Sequence, residues 1–319
     1  MRKHREKRNW SGYNEKLKKI ARIDFFISEE AIENWSYSGR RYRGGKKLYS
    51  DFAIELCLLM REFYKLPYRQ TQGFVESIFQ LTSLELSIPD YTTMSRRASN
   101  LKLSLRNKNL LKKDRASIVV AVDSTGLSLY THTEWNRMKH KRSNLESYER
   151  WRKLHVAIDV ATGEILENKY TRSTCNDGPE LPSMLDSIEE DISAVCGDMA
   201  YDTVNCRRAI KHRNARQLIP PIRHARISNN NRNIRKHNEI LYERDEAIRY
   251  INANSINGDK SRARKSWKEK SGYHARSLVE TTMWQIKRHC SDYLSNKKEN
   301  TRETQAKIKC KVINLIIAA

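Results

Sequence analysis

The chain has 319 residues, 38% of them hydrophobic and 31% charged, which suggests two domains, or one with appendages, around a real core. Its 61 Lys and Arg face 38 Asp and Glu, an excess of +23 that repels itself unless a polyanion neutralises it, so nucleic acid is the first partner to consider and a membrane surface the second. No secretory core follows the basic N-terminus, and the apolar tail VINLIIAA is far too short for the ~20 residues of a membrane span. The six cysteines form no C-x-x-C pair, which argues against a zinc ribbon or a disulfide framework. A cytoplasmic protein with reduced thiols is the expectation.

Residues 1–49 are basic and poor in periodic apolar positions. They read as an arm that orders on DNA or as a disordered start. From 50 the pattern turns helical. SDFAIELCLLMREFYK opens on the cap types Ser50 and Asp51, and LPYRQTQGFVESIFQL starts a second helix at Pro67. In SIPDYTTMSRRASNLK a Pro-Asp turn leads into a third helix carrying Arg96 and Arg97. Two helices, a turn and a third basic helix over 50–112 fit a helix-turn-helix-like DNA-binding domain, or a plain helical bundle.

From about 113 the period changes. ASIVVAVDSTGLSLY reads as a strand that breaks at Asp123-Ser-Thr-Gly, and WRKLHVAIDVATGEILENKYTR as a hairpin around Ala161-Thr-Gly163. TCNDGPELPSMLDSIEE enters a helix through Asn176, Asp177 and Pro179. Then come a short buried strand ending in Asp198, a helix, and the strand RQLIPP. Hairpin strands followed by alternating strand and helix make an α/β domain with a mixed sheet, running to 319. Residues 207–270 hold 18 Lys and Arg against 6 Asp and Glu, and their centre SNNNRNIRKHN is turn-rich. A solvated loop or a DNA-contacting insertion fits.

Asp123 and Asp198 each follow an apolar strand. Acids in such places are often turn or cap residues, but two of them at neighbouring strand ends would face one crevice. Glu280 is the third candidate. On a helix begun at Tyr273, Tyr273, Arg276, Glu280 and Lys287 share one narrow arc, with Ala275, Val279 and Ile286 on a separate apolar stripe. An ordinary amphipathic helix with charge pairs would look similar, although Glu280 and Lys287 are too far apart for an i,i+4 pair. Three carboxylates ringed by cations suit a pair of hard divalent ions, which stabilise both the attacking and the leaving oxygen of a phosphoryl displacement.

The stripe Y273-HA-R276-SLV-E280-TTMWQI-K287 resembles, gap for gap, the Y-(2)-R-(3)-E-(6)-K motif of bacterial insertion-sequence transposases of the DDE class. AVDSTGL and CGDMAYD resemble the first- and second-Asp motifs, and YSDFAIELCLLMREFYKLPYRQTQGFVESIFQL with SIPDYTTMSRR resembles the insertion-sequence-five branch. The resemblance spans roughly 35–319. It implies a ribonuclease-H-like catalytic core over 113–319, a mixed sheet flanked by helices, with a basic insertion at about 215–270 and an α-helical DNA-binding domain before it. Asp123, Asp198 and Glu280 would be the catalytic, metal-binding triad for two Mg²⁺ or Mn²⁺ ions. Tyr273, Arg276 and Lys287 would contact DNA, with Arg96 and Arg97 gripping the element ends. Trp267 would stack on a displaced base or pack within the insertion. Asp177 stands where relatives often have a His-Asp pair, and is read as a helix cap rather than a carboxylate behind the triad.

The implied function is a transposase that binds the terminal inverted repeats of its own element, cuts a strand and transfers it. The implied partners are double-stranded element ends and target DNA, and the implied state a homodimer or higher assembly in the bacterial cytoplasm, on the nucleoid. The alternatives are a metal-dependent nuclease of the same fold and an inactive DNA-binding remnant.

Overall fold

A computed structural model describes residues 10–23, 26–39, 47–105, 117–129, 151–228 and 235–318. Its helices are α1 (Trp10–Ile20), α2 (Glu29–Glu33), α3 (Asp51–Phe63), α4 (Tyr68–Leu81), α5 (Tyr91–Ala98), α6 (Leu181–Asp186), α7 (Val204–His212), α8 (Arg235–Ala253), α9 (Ser261–Ser271), α10 (Ser277–Cys290) and α11 (Glu299–Ala318). Its strands are β1 (Ile118–Leu129), β2 (Trp151–Asp159), β3 (Ile165–Arg172), β4 (Ile192–Cys196), β5 (Arg216–Leu218) and β6 (Tyr293–Leu294). They form two compact units, a helical one of 1–104 with 298–319, and a sheet unit of 105–297.

In the helical unit, Ser50 caps α3 by accepting from the Ala53 amide (2.9 Å), and Asp90 caps α5 by accepting from the Thr92 and Thr93 amides (2.8 and 3.0 Å). Both starts follow from the sequence. The Thr82–Asp90 link between α4 and α5 is longer than the ~3–4-residue turn of a helix-turn-helix. Part of the expected arm 1–49 is built in. Trp35 is 1% exposed, donates its indole N–H to the Ser87 carbonyl (2.8 Å) and packs against Phe79 with tilted rings 4.9 Å apart.

The last helix of the expected catalytic domain, α11, falls in the helical compact unit. α11 packs on α3 and α5. The physical reason is a buried polar cluster. Glu62 accepts from Lys309 Nζ (3.0 Å) and Gln305 Nε2 (3.0 Å) and also pairs with Arg61. A charge buried this deeply needs partners, and α11 supplies two of them. The expected boundary near 112 lies outside the described residues, as does most of SNNNRNIRKHN.

The sheet runs in the order β3-β2-β1-β4-β5, with β6 also on β1. β1 with β2 and β2 with β3 are antiparallel, while β1 with β4, β4 with β5 and β1 with β6 are parallel. Alternation along β1 sends Val120 and Val122 into a core with Leu181, Met184, Leu185 and Ile210 from α6 and α7. Ala121 and Leu127 face the other way, toward the side where α10 packs on β1 and β2 through its buried stripe Val279, Met283 and Ile286. The sheet is therefore covered on both faces by helices.

β1 does not break at Asp123. It continues through Ser124, Thr125 and Gly126, because β2 pairs with it from Val120 to Ser128. The turn-forming residues yield to the ladder, a tertiary override of local propensity. Gly126 helps, since a Cβ there would lie 3.2 Å from the Trp151 ring that covers it.

Candidate active site

One edge of β1 is paired by β2 throughout. Its other edge is shared. β4 pairs with it only to Ala121, opposite Cys196, and β6 only from Ser128. Between them the edge has no strand partner among the described residues, and the 3-10 turn Tyr273–Arg276 packs against β1 and β4.

Asp123 lies two residues past Ala121, and Asp198 two residues past Cys196. The two acids thus leave the parallel ladder at matching positions, one on the continuing strand and one where its neighbour has ended. Asp198 also caps the 3-10 turn Met199–Tyr201, accepting from the Ala200 amide (2.7 Å). Gly197 permits this turn. A Cβ on it would come within 2.9 Å of the Tyr201 ring and 3.2 Å of Val122 Cγ2.

Glu280 is in the first turn of α10, and its side chain is 55% exposed. The α-helix starts only at Ser277, so Tyr273 and Arg276 sit on the 3-10 turn before it rather than on one continuous wheel. Arg276 and Glu280 still meet at i,i+4. Arg276 gives one guanidinium nitrogen to the Asp123 carboxylate and the other to Glu280. Tyr273 is buried, with the Arg276 guanidinium 5.9 Å from its ring centre.

Charge is concentrated here. Burial pushes the Asp123 carboxyl up, and Asp198 and Glu280 push it the same way, while the Ser124 amide and Arg276 oppose them. Burial also raises the Tyr273 phenol, with Asp198 and Asp123 adding to it and Arg276 opposing. Burial weakens the charge of Arg276, but Tyr273, Asp123 and Glu280 together more than reverse this and hold its pKa above the ordinary value. Asp198 and Glu280 both repel the Asp123 charge, and Arg276 supplies the positive charge between Asp123 and Glu280.

That donor set fits a hard dication. It consists of carboxylate oxygens without thiol or imidazole, as Mg²⁺ or Mn²⁺ requires. Among the described residues no three such side chains close on one point as they stand, and Arg276 occupies the space between Asp123 and Glu280.

The other expected site residues are placed as follows. Lys287 is half-buried, two turns along α10 from Glu280. Trp267 on α9 is half-buried, with its ring 6.3 Å from that of Tyr273, which places it in the packing beside the stripe. Arg96 on α5 is exposed. Arg97 donates to the Tyr49 carbonyl (2.6 Å) and pairs with Asp51. Asp177 makes no cap bond, contrary to the expected helix cap. Its carboxylate instead accepts from Lys153 Nζ (3.0 Å) and lies 3.5 Å from His155 Nδ1. The Asp202 side chain is a buried hub for Arg207 (2.8 Å) and Arg244 (3.0 Å), and Thr203 rather than Asp202 caps α7.

Sequence reasoning missed Tyr201. Its phenol is raised well above the ordinary value by burial first, then by Asp177, Asp123 and Asp198. Its buried ring packs against Gly197, next to Asp198. The available signal was an aromatic three residues after an acid that caps a turn.

Among the described residues no helix is long and apolar enough to cross a membrane. Two family models match the sequence, both described as a transposase DDE domain, one over residues 114–315 and one over 18–132. Among solved structures, the chain is similar to a piggyBac transposase in a synaptic complex with hairpin DNA, at 9% identity and TM-score 0.38, covering 95% of this chain and 74% of that one. It is also similar to a Drosophila P element transposase in a strand transfer complex, at 10% identity and TM-score 0.28, covering 96% and 86%. Both scores are too low to carry an argument about fold, and the assignment rests on the sequence models. The chain belongs to the DDE transposase family: it is a DNA transposase, an enzyme that cleaves and transfers DNA strands.

Proposed function

We propose that this transposase binds the terminal inverted repeats of its own insertion sequence, of the insertion-sequence-five branch, and cuts and joins strands with Asp123, Asp198 and Glu280. The observation that carries this reading is the matched departure of Asp123 and Asp198 from the β1–β4 ladder, with Arg276 joining Asp123 to Glu280. Three antiparallel strands followed by two parallel ones support a ribonuclease-H-like core.

The three carboxylates would hold two divalent ions, Mg²⁺ or Mn²⁺. Bound ions would activate water or a 3′-hydroxyl and stabilise the leaving oxygen of an in-line displacement. Arg276 would then turn from its carboxylates to a DNA phosphate, for which its planar fork is suited. Buried Tyr273 backs that guanidinium, Lys287 extends the cationic stripe along α10, and Trp267 supports Tyr273 from α9. In the helical unit, exposed Arg96 is offered to DNA, while Arg97 fixes α5 against Tyr49 and Asp51. Processing two element ends together calls for a homodimer or higher assembly on DNA.

The test is a cleavage and joining assay on the element's own end with Mg²⁺ and a supercoiled target, run beside Glu280→Gln. Metal-dependent nicks and joined products, lost in the variant, are expected. Nicking without joining would remove the strand-transfer step, and unchanged chemistry in Glu280→Gln would remove the triad.

A further inference from the structure

α9 carries Ser261, Arg264, Lys265 and Lys268 at the spacing of one helix face. That face and the chain after β5 line an open cavity of about 310 Å³ whose lining includes Met199, Arg223, Arg264, Lys265 and Lys268. Arg264 is its fixed wall. It donates to the carbonyls of Pro221 (2.7 Å), Ile222 (3.0 Å) and Arg223 (3.0 Å), and so pins the segment that delivers Arg223.

This arrangement gathers like charges. Burial lowers the Arg264 pKa, and the neighbouring Arg223 lowers it further. The acid that reaches Arg264 is Asp202, already engaged by Arg207 and Arg244. Among the described residues no carboxylate pairs with Arg223, Lys265 or Lys268, and Arg223 and Lys265 are exposed. A concave, one-signed cluster focuses a field that an anion relieves. Met199 adds an apolar surface that suits a deoxyribose ring.

Two walls tie the cavity to the candidate active site. Met199 directly follows Asp198, and Lys268 Nζ lies 5.0 Å over the Tyr273 ring. We propose that this cavity holds a backbone phosphate of the DNA strand being processed, next to the phosphodiester at the carboxylates, with Arg223, Lys265 and Lys268 as its cationic contacts. The proposal rests on the catalytic reading of Asp123, Asp198 and Glu280, and it names a DNA contact which that reading does not require.

The experiment uses the full chain and a duplex carrying one end of its element. Binding is measured across a salt series and cleavage with Mg²⁺, for wild type, Arg223→Ala with Lys265→Ala, Asp123→Asn, and Arg208→Ala as an exposed cation outside the cavity. The double variant should lower the slope of log affinity against log salt by about 1, the signature of a lost phosphate contact. Ethylation of one phosphate near the cut should hinder wild-type binding and have no further effect on the double variant. Arg208→Ala should keep the wild-type slope. A wild-type slope in the double variant, with cleavage still abolished by Asp123→Asn, would overturn the cavity and leave the catalytic reading intact. Cleavage that survives Asp123→Asn would overturn the catalytic reading and this proposal with it.

Discussion

Asp123 on β1 and Asp198 just beyond the end of β4 lie the same two residues past the last pair of the parallel β1–β4 ladder, Ala121 and Cys196. Neither acid is at the end of a long strand of its own. β4 stops and β1 continues, and the opening between them is a consequence of that mismatch.

Replacing either acid with its amide should leave end binding intact and remove chemistry. Removing partners that only orient ligands commonly costs about 10–100-fold, so losing a ligand itself should lower cleavage by at least about 100-fold. Single-turnover cleavage beside a gel-shift titration would show it. An Asp198→Asn protein that cuts at the wild-type rate would remove Asp198 from the site.

Arg276→Ala should destabilise the sheet unit, because Asp123 would keep a partly buried charge with its nearest cation gone. Fully buried pairs lose about 3–5 kcal/mol when broken, and this mostly but not fully buried pair should lose less, about 1–3 kcal/mol. Arg276→Lys should recover little, since one ammonium cannot fork to Asp123 and Glu280 together. Denaturant melts of the three proteins compare these directly. Full recovery by lysine would mean that the bridge acts as a simple point charge.

Gly197→Ala should cost about 1–3 kcal/mol, the usual range for overpacking, because the Tyr201 ring and Val122 leave no room for a Cβ. The turn that aims Asp198 would shift as well, so cleavage should fall more than DNA binding does. A stable, fully active Gly197→Ala would show that the turn relaxes without moving Asp198.

Asp90 gives a pH-dependent test in the helical unit. Its carboxyl is held well below the ordinary range by the Thr92 hydroxyl, then by Thr93 and the amides it caps. A depressed folded value means its contribution is complete above the unfolded pKa of about 3.9 and fades as pH falls further toward the folded value. At pH 7 Asp90→Ala should cost about 1 kcal/mol, the usual value of a lost cap. The gap from wild type should narrow below about pH 4, and Asp90→Asn should recover much of it. A gap that is the same at pH 3 and pH 7 would count against the ionised cap.

The sequence made the candidate triad legible because its residues sit in locally patterned text. The apolar runs before Asp123 and Asp198 and the spacing from Tyr273 to Glu280 are short-range signals. What escaped depended on distant partners. Ser124, Thr125 and Gly126 look like a turn until β2 is placed beside them. Asp177 looks like a cap until Lys153, from the preceding hairpin, reaches it. Asp202 looks like a helix start, yet Arg244, far along the chain, makes it part of a buried charge cluster. The 3-10 turn at Tyr273–Arg276 broke the assumed wheel, but Arg276 and Glu280 kept their spacing, so their pairing survived.

The helical unit is interrupted in sequence by the whole sheet unit, and α11 completes it. During synthesis α3 leaves the ribosome long before Lys309 and Gln305 exist to meet Glu62. Until then Glu62 has only its neighbour Arg61 of these three partners. The helical unit is therefore completed only after the strands of the sheet have emerged. A chain cut short after β6 would retain Asp123, Asp198 and Glu280 but leave the α3 surface open, making such fragments poorly folded at one end and prone to associate through it.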